Sequence, residues 1–345
     1  MSAHLLPVAV TVHSTPLAEI LMHFELPTPS MIFEVALEDG AKIRVRRHGR
    51  ADGVRLFFSH GNGFAADAYF PYWQYLLADF DLIVFDFRNH GQNVPVVPPH
   101  HNYEQLTRDL ERLVQAVKSR LGERPTVGLF HSMSARTAMK HAIEVGWRWD
   151  ALVLFDPPNV PPHDHPHYPV MEAFKKRLVD RALHRRRRFA TIDELSQEYL
   201  QSRATARWVP GEYDLMARSV LRESPDGDGY ELVCDPENEA KIYAQALTLN
   251  LWPRATEFSG PVKLIGCDPT MKSAAGTGPA NQALAIEGGY DYSFVEGTGH
   301  LLQVEKPQEC ARLTLEFLAR HGLVWAAEPN SGTCAVSGCC ALQQK

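Results

Sequence analysis

The sequence has no uninterrupted run of about 18 apolar residues, the length that a membrane-spanning helix needs. Its N-terminal stretch, residues 1–25, also lacks a basic segment followed by a long apolar one, which is the pattern of a signal peptide. We therefore expect no membrane span and a cytoplasmic location. The formal net charge is −6 over 345 residues, so no basic surplus points to nucleic acid as a partner.

Cysteine is scarce, and half of it lies at one end of the chain. Of the six cysteines, three lie close together near the end, at Cys334, Cys339 and Cys340. A chain of this size without a secretory signal is not expected to rely on disulfides, and we interpret residues 326–345 as a disordered tail. The alternating His163, His165 and His167 have no cysteine or glutamate pair nearby at ligand spacing. We therefore expect no metal and no cofactor.

Six short segments rich in Val, Ile, Leu and Phe are bounded by turn residues. They span residues 55–61, 81–88, 126–132, 151–158, 261–268 and 292–297. Each is a continuous apolar run rather than an alternating one, which is typical of strands buried on both faces of a parallel sheet. Ahead of them, residues 31–47 predict two strands joined at Asp39-Gly40, which form an antiparallel hairpin.

Helical patterns separate these strands, most clearly at residues 103–121, 133–146 and 307–321. The alternation predicts an α/β fold with a mostly parallel, doubly wound sheet. It is interrupted at residues 157–254, where a proline-rich opening leads into helical stretches and no comparable strand occurs. We interpret this segment as an inserted helical cap over the carboxyl edge of the sheet, where such sheets bind ligands.

Residues able to do chemistry follow the ends of the predicted strands. Three turns contain SHGNGF (59–64), DFRNHGQN (86–93) and EGTGHLLQVEKP (296–307), and a serine turn contains GLFHSMSAR (128–136). Glycines in the first turn let backbone N–H groups approach a ligand closely. Two further strands end at Asp156 and Asp268.

Together these motifs resemble those of the serine-dependent α/β-hydrolases. In that family a His-Gly oxyanion loop precedes a strand-to-helix nucleophile elbow, and an acid and a histidine follow, in the order Ser, Asp, His. Here HGNG resembles the oxyanion loop, HSMSA the elbow, and GCDPT and GTGHLLQVEKP the acid and histidine turns. The resemblance implies an α/β-hydrolase core formed by residues 30–156 and 255–325, with the cap at 157–254 between them.

The resemblance implies that Ser132 is the nucleophile. The elbow needs small residues two positions before and after this serine, because the strand and helix backbones pass closely there. Ser134 satisfies the second position, whereas Phe130 departs from the first. We expect the Phe130 ring to leave the turn and to pack into the pocket wall or under the helix. Ser134 is the poorer nucleophile, because Arg136 would occupy its second flanking position.

The other catalytic roles also follow from the resemblance. His300 is implied as the base that activates the serine and as the acid that later protonates the leaving group. A carboxylate would accept the second N–H of this histidine. In the family the acid usually follows the strand nearest to that of the histidine, which favours Asp268 and leaves Asp156 as the alternative acid.

The oxyanion hole would use backbone N–H groups of Met133 and Asn62. Phe64 and Phe130 are the predicted aromatic residues of a covered, apolar substrate pocket. The resemblance thus implies a serine hydrolase that cleaves an ester, thioester or lactone of a small-molecule substrate through a seryl-acyl intermediate. Two alternatives stay open: a hydrolase of carbon–carbon bonds in ring-cleavage products that uses the same residues, and a non-catalytic ligand-binding protein on the same fold.

Overall fold

The computed structural model describes residues 23–96, 100–271 and 276–324. Its strands are β1 (Met31–Ala36), β2 (Lys42–Gly49), β3 (Val54–Ser59), β4 (Phe80–Phe85), β5 (Thr126–His131), β6 (Ala151–Phe155), β7 (Arg188–Phe189), β8 (Leu221–Glu223), β9 (Tyr230–Leu232), β10 (Val262–Cys267) and β11 (Asp291–Val295). Its helices are α1 (Phe70–Trp73), α2 (Tyr103–Leu121), α3 (Met133–Glu144), α4 (Tyr168–Leu183), α5 (Ile192–Gln201), α6 (Glu212–Val220), α7 (Pro236–Gln245), α8 (Thr277–Gly288), α9 (Leu302–Glu305) and α10 (Pro307–Arg320). The predicted cysteine-containing tail lies outside the described residues.

Eight of the strands form one sheet in the order β1-β2-β4-β3-β5-β6-β10-β11. The β1–β2 hairpin is antiparallel, and β2 also pairs antiparallel with β4. All the remaining pairs, from β4 across to β11, are parallel. The predicted mostly parallel sheet with an N-terminal antiparallel hairpin is therefore confirmed.

The central strands are buried on both faces, as their continuous apolar composition predicts. In β3, Leu56 and Phe58 belong to one hydrophobic core, while Phe57 between them belongs to a second core on the opposite face. Successive side chains of a strand point to opposite faces, so each core receives alternate residues of the same strand. Among the described helices, none has the length and apolarity needed to cross a membrane.

The segment between β6 and β10, residues 157–254, contains helices α4 to α7 and a small antiparallel sheet in the order β7-β9-β8. We call this segment the insertion. The predicted helical stretches correspond to α4, α5 and α7, whereas α6 and the small sheet were not predicted. The strands of this sheet have only two or three residues each, too few to show a periodic pattern.

Candidate active site

Ser132 lies between the end of β5 and the first residue of α3, in a conformation that non-glycine residues rarely adopt. Its φ is 53° and its ψ is −113°. Its N–H donates to the carbonyl of Phe155 at 2.9 Å, and its own carbonyl accepts from the N–H of Arg136 at 3.0 Å. The residue is therefore fixed to the neighbouring strand on one side and to the helix on the other. Strain held in place by surrounding structure is common at functional sites.

The ring of Phe130 leaves this turn and packs in the core. Phe130 is fully buried, and its ring meets that of Trp149 edge-on at 5.5 Å between centroids. It does not line the cavity that contains Ser132, so its predicted place in the substrate pocket is wrong. Gly128 provides the space for the ring, since a Cβ at that position would lie 2.4 Å from a Phe130 ring carbon. A large residue is thus accommodated two positions before the serine because a glycine stands four positions before it.

His300 connects the serine to a carboxylate. Its Nε2 lies 2.8 Å from the Oγ of Ser132, and its Nδ1 lies 2.5 Å from an oxygen of Asp156. The three side chains come from the ends of β5, β6 and β11, which all reach the same edge of the parallel sheet. This is the arrangement of nucleophile, base and acid in a catalytic triad.

Asp156 is completely buried, with a φ of 41° directly after β6. Besides the histidine, it accepts hydrogen bonds from the Oγ1 of Thr277 at 2.5 Å, from the Nδ2 of Asn281 at 2.8 Å and from the N–H of Cys267 at 3.1 Å. Burial disfavours the carboxylate form, but the bonds from His300, Thr277 and Cys267 outweigh it and lower the pKa of Asp156. Asp156 is therefore held as a carboxylate facing the histidine.

Asp268, the preferred acid in the sequence analysis, forms other contacts. One of its oxygens accepts from the N–H and the Oγ1 of Thr270 at 2.8 and 2.7 Å, and the other accepts from the N–H of Gly297 at 2.8 Å. These bonds connect the turn after β10 to the turn that precedes His300. The structure corrects the earlier preference: Asp156, the alternative, is the carboxylate in contact with His300.

The HGNG loop lies beside the serine, and Asn62 and Phe64 both line the same cavity as Ser132. Gly63 has a φ of 76°, and its N–H donates to the Nε2 of His90 at 3.1 Å. Within the described ranges, the N–H groups of Asn62 and Met133 have no acceptor on the protein. Both groups, named in the sequence analysis as oxyanion donors, are thus free to donate to a bound molecule.

A buried hydrogen-bond chain behind the serine was missed by sequence reasoning. The N–H of Gly61 donates to the hydroxyl of Tyr69 at 3.1 Å, and that hydroxyl lies 2.8 Å from the Nδ1 of His131. The Nε2 of His131 lies 2.8 Å from the carbonyl oxygen of His300. Burial lowers the pKa of His131 to about 3, so its ring is neutral and donates one hydrogen bond. These hydrogen bonds connect the HGNG loop to the backbone of His300. The only signal in the sequence was the position of His131 next to Ser132.

The cavity above Ser132 has a volume of about 730 Å³. Its floor is formed by core residues, including the serine and the histidine. Its walls are formed largely by the insertion, with side chains from α4, α5 and α7. A molecule bound there would contact the insertion on one side and Ser132 on the other.

Among the described residues, one group has the composition to hold a metal ion: His90, His101 and Cys234, whose ligand atoms all lie within 4.8 Å of one another. Both ring nitrogens of His90 already have partners, the carbonyl of Arg88 at 2.9 Å and the N–H of Gly63 at 3.1 Å. Burial also raises the pKa of the Cys234 thiol well above its usual range. The contacts of His90 therefore support the HGNG loop, and a metal would have to break one of them.

Residues 56–313 match the sequence model of the alpha/beta hydrolase family. The match covers well over half of the chain and includes all three residues of the Ser132–His300–Asp156 arrangement. The chain belongs to the alpha/beta hydrolase family. Among curated proteins, no sequence matches this member of the family.

Solved structures of the same fold resemble this family member over most of its length. An E-2-(acetamidomethylene)succinate hydrolase has a TM-score of 0.66 at 18% identity, with 84% of this chain and 99% of that chain covered. A thioesterase domain from the curacin biosynthetic pathway has a TM-score of 0.61 at 18% identity, covering 83% and 99% of the two chains. An esterase from Thermogutta terrifontis with malate bound has a TM-score of 0.59 at 20% identity, covering 85% and 99%. Likenesses at this identity establish the fold.

Proposed function

We propose that this chain is a serine hydrolase that cleaves an acyl bond through a seryl-acyl intermediate. The observation that carries the proposal is the unbroken contact from Ser132 Oγ to His300 Nε2 and from His300 Nδ1 to Asp156. A serine hydroxyl is a weak nucleophile at neutral pH, so such a base is what its activation requires. The hydrolase, thioesterase and esterase among the structural neighbours support the same class of reaction.

In the first step the Ser132 oxygen attacks the acyl carbon while His300 Nε2 takes the hydroxyl proton. The resulting imidazolium is stabilised by the buried carboxylate of Asp156. His300 then gives the proton to the leaving group, and the seryl ester remains. A water molecule, deprotonated by the same nitrogen, attacks this ester. His300 then returns the proton to the Ser132 oxygen as the acid product leaves.

The N–H groups of Met133 and Asn62 are proposed as donors to the oxyanion that forms on the acyl oxygen. Met133 is the first residue of α3, so its N–H has no acceptor within the helix and benefits from the positive end of the helix dipole. Asn62 is held by its side chain, whose Nδ2 donates to the carbonyl of Glu239 in α7 at 2.9 Å. Preorganised donors of this kind are typically worth about 3–4 kcal/mol in the transition state.

The test is covalent labelling with a fluorophosphonate, followed by intact mass measurement and peptide mapping. We expect one adduct on Ser132 in the wild type and none in Ser132→Ala, which should also lose turnover of p-nitrophenyl acetate while keeping its melting temperature. Ser202→Ala is the matched control, because Ser202 lines the same cavity but, in the described part of the structure, no histidine contacts its hydroxyl. An adduct that persists in Ser132→Ala would refute the proposed nucleophile, and no adduct in the wild type would favour a non-catalytic binding protein.

A further inference from the structure

Lys175, on helix α4 of the insertion, is buried without an acidic partner. Lys175 is only 1% exposed. Within the described part of the chain, its side chain makes no hydrogen bond and no ion pair. Its Nζ lies 5.8 Å from the centre of the Tyr243 ring and 5.9 Å from that of Phe174. Burying a charge without a partner destabilises a protein, so such a lysine calls for a functional explanation.

Several arginines of the insertion form ion pairs with carboxylates. Arg185 contacts Glu239, Arg186 contacts Glu194, Arg187 contacts Asp235 and Arg188 contacts Asp226. Arg207 forms a bidentate pair with Glu305. These five arginines therefore have carboxylate partners, whereas Lys175 has none among the described residues, although Lys175 is more deeply buried than they are.

Lys175 lines the same cavity as Ser132 and His300. Six cationic side chains and two carboxylates line this cavity, and the two carboxylates, Glu239 and Glu305, are the ones already paired with arginines. The remaining cations, besides Lys175, are the exposed Arg177, Arg181 and Arg203, which make no ion pair among the described residues. The cavity is therefore positive, although the whole chain has a net charge of −6. A positive cleft attracts and concentrates anions.

We propose that Lys175 binds a carboxylate of the substrate, so that the acyl compound cleaved at Ser132 is an anion such as the half-ester or half-thioester of a dicarboxylic acid. This inference rests on the proposed function, since Ser132 supplies the chemistry. Burial and the positive charge of Arg136 hold the pKa of Lys175 well below its usual range, and the more weakly felt negative charge of Asp156, which makes no ion pair with Lys175, does not offset them. A bound carboxylate offsets both effects and provides the partner that the protein lacks. A single buried ammonium suits a monoanion better than a phosphate dianion, because moving the second negative charge out of water costs more than one ammonium can offset.

The inference is tested with pairs of methyl esters. One member is the monomethyl ester of a dicarboxylic acid, from succinate to suberate, and the other has an isopropyl group in place of the free carboxylate. We expect the wild type to prefer the anionic member of the best pair by about 10- to 100-fold in kcat/KM, the usual range for a charge-assisted hydrogen bond. Lys175→Met should remove this preference, because kcat/KM for the anionic ester should fall about 10- to 100-fold further than kcat/KM for the neutral ester.

The matched control is Lys176→Met on the next residue of the same helix. Lys176 is exposed and pairs with Glu172 at 3.0 Å, so its loss should leave the preference unchanged. Lys175→Gln serves as a second variant if the methionine variant unfolds, with circular dichroism and melting temperature as checks. The inference would be overturned if the wild type showed no preference for the anionic ester, or if the Lys175 variants lost kcat/KM equally on both esters.

A binding measurement separates this inference from the proposed function. Calorimetry with Ser132→Ala should show binding of monomethyl adipate, and its loss in the double variant with Lys175→Met. Absence of binding to Ser132→Ala would overturn the inference even if fluorophosphonate labelling succeeds. Binding of monomethyl adipate that depends on Lys175, without fluorophosphonate labelling or ester turnover in the wild type, would reject the proposed function but support Lys175 as an anion-binding residue. Inorganic phosphate is the competing probe, and tighter binding of phosphate than of adipate would overturn the choice of a carboxylate.

Discussion

Replacing Asp156 by asparagine removes the charge at His300 while nearly preserving the shape of the side chain. In the structure the two carboxylate oxygens accept four hydrogen bonds, from His300, Thr277, Asn281 and the N–H of Cys267. An asparagine has only one oxygen to accept them. If that oxygen stays with Asn281 and Cys267, the new amide group donates toward His300 Nδ1.

A donor at Nδ1 forces the histidine into its other tautomer, in which Nε2 carries the proton. Nε2 is the atom that faces Ser132, so the ring can no longer accept the serine proton. A triad with this fault loses about 10⁴-fold in kcat, equivalent to about 5 kcal/mol of transition-state stabilisation. We expect a loss of this size for Asp156→Asn.

Asp268→Asn is the matched comparison, because both aspartates end adjacent strands and both were candidates for the acid. Asparagine at 268 retains one acceptor for Thr270 or Gly297 and leaves His300 Nδ1 untouched. It should cost about 1–2 kcal/mol of stability and less than about tenfold in kcat/KM. Both variants would be compared by p-nitrophenyl acetate hydrolysis and by the rate of fluorophosphonate labelling, with melting temperature as the check on folding. A larger loss in Asp268→Asn, or an Asp156→Asn enzyme within tenfold of wild type, would refute the assignment of the acid.

Two further predictions concern stability. Gly128→Ala places a methyl group against the ring of Phe130, which Trp149 holds in place, and should cost about 1–3 kcal/mol in urea denaturation; an unchanged midpoint would show that the ring has room to move. Burial lowers the pKa of both His131 and His101 from 6.5 to about 3, so below pH 6.5 the unfolded chain binds two protons that the native state does not. Above pH 6.5 these two histidines should not change the free energy of unfolding, whereas at pH 5 the pair should lower it by about 4 kcal/mol. His101→Gln should remove about half of that decrease. A free energy of unfolding that does not change between pH 7 and pH 5 would contradict this prediction.

The sheet was predictable because its strands are buried on both faces and so appear as continuous apolar runs. The runs at residues 126–132 and 151–158 contain β5 and β6, and the predicted helix at 103–121 matches α2 residue for residue. Asn102 marks the start of that helix, where its side chain accepts from the N–H of Gln105 at 2.8 Å. Local patterns were sufficient for these elements, whereas α6 and α8, with nine and twelve residues, were not predicted.

The carboxylate that contacts His300 was not predictable from local pattern. Asp156 and Asp268 both follow a buried strand and both precede a proline, so they are equivalent as sequence. They differ in contacts made across the fold: Asp156 faces Thr277, Asn281 and His300, all more than a hundred residues away, whereas Asp268 binds its own turn and the next one. Because β6 and β10 are neighbours, a carboxylate at the end of either strand is near the loop that contains His300. Only the packing of the intervening helix α8, which brings Thr277 and Asn281 to Asp156, separates the two.

The two proposals made above depend on different parts of this chain. Ser132, His300 and Asp156 lie in turns that follow strands of the sheet, whereas Lys175 and most of the cavity wall belong to the insertion. The strands of the sheet show strong sequence patterns, so the family could be inferred from motifs at strand ends. The sequence of the insertion shows weaker patterns. Lys175 and Lys176 are identical neighbours, and only the packing of α4 buries the first and exposes the second. The charge that we propose to select the substrate is therefore visible only after the insertion has been placed over the serine.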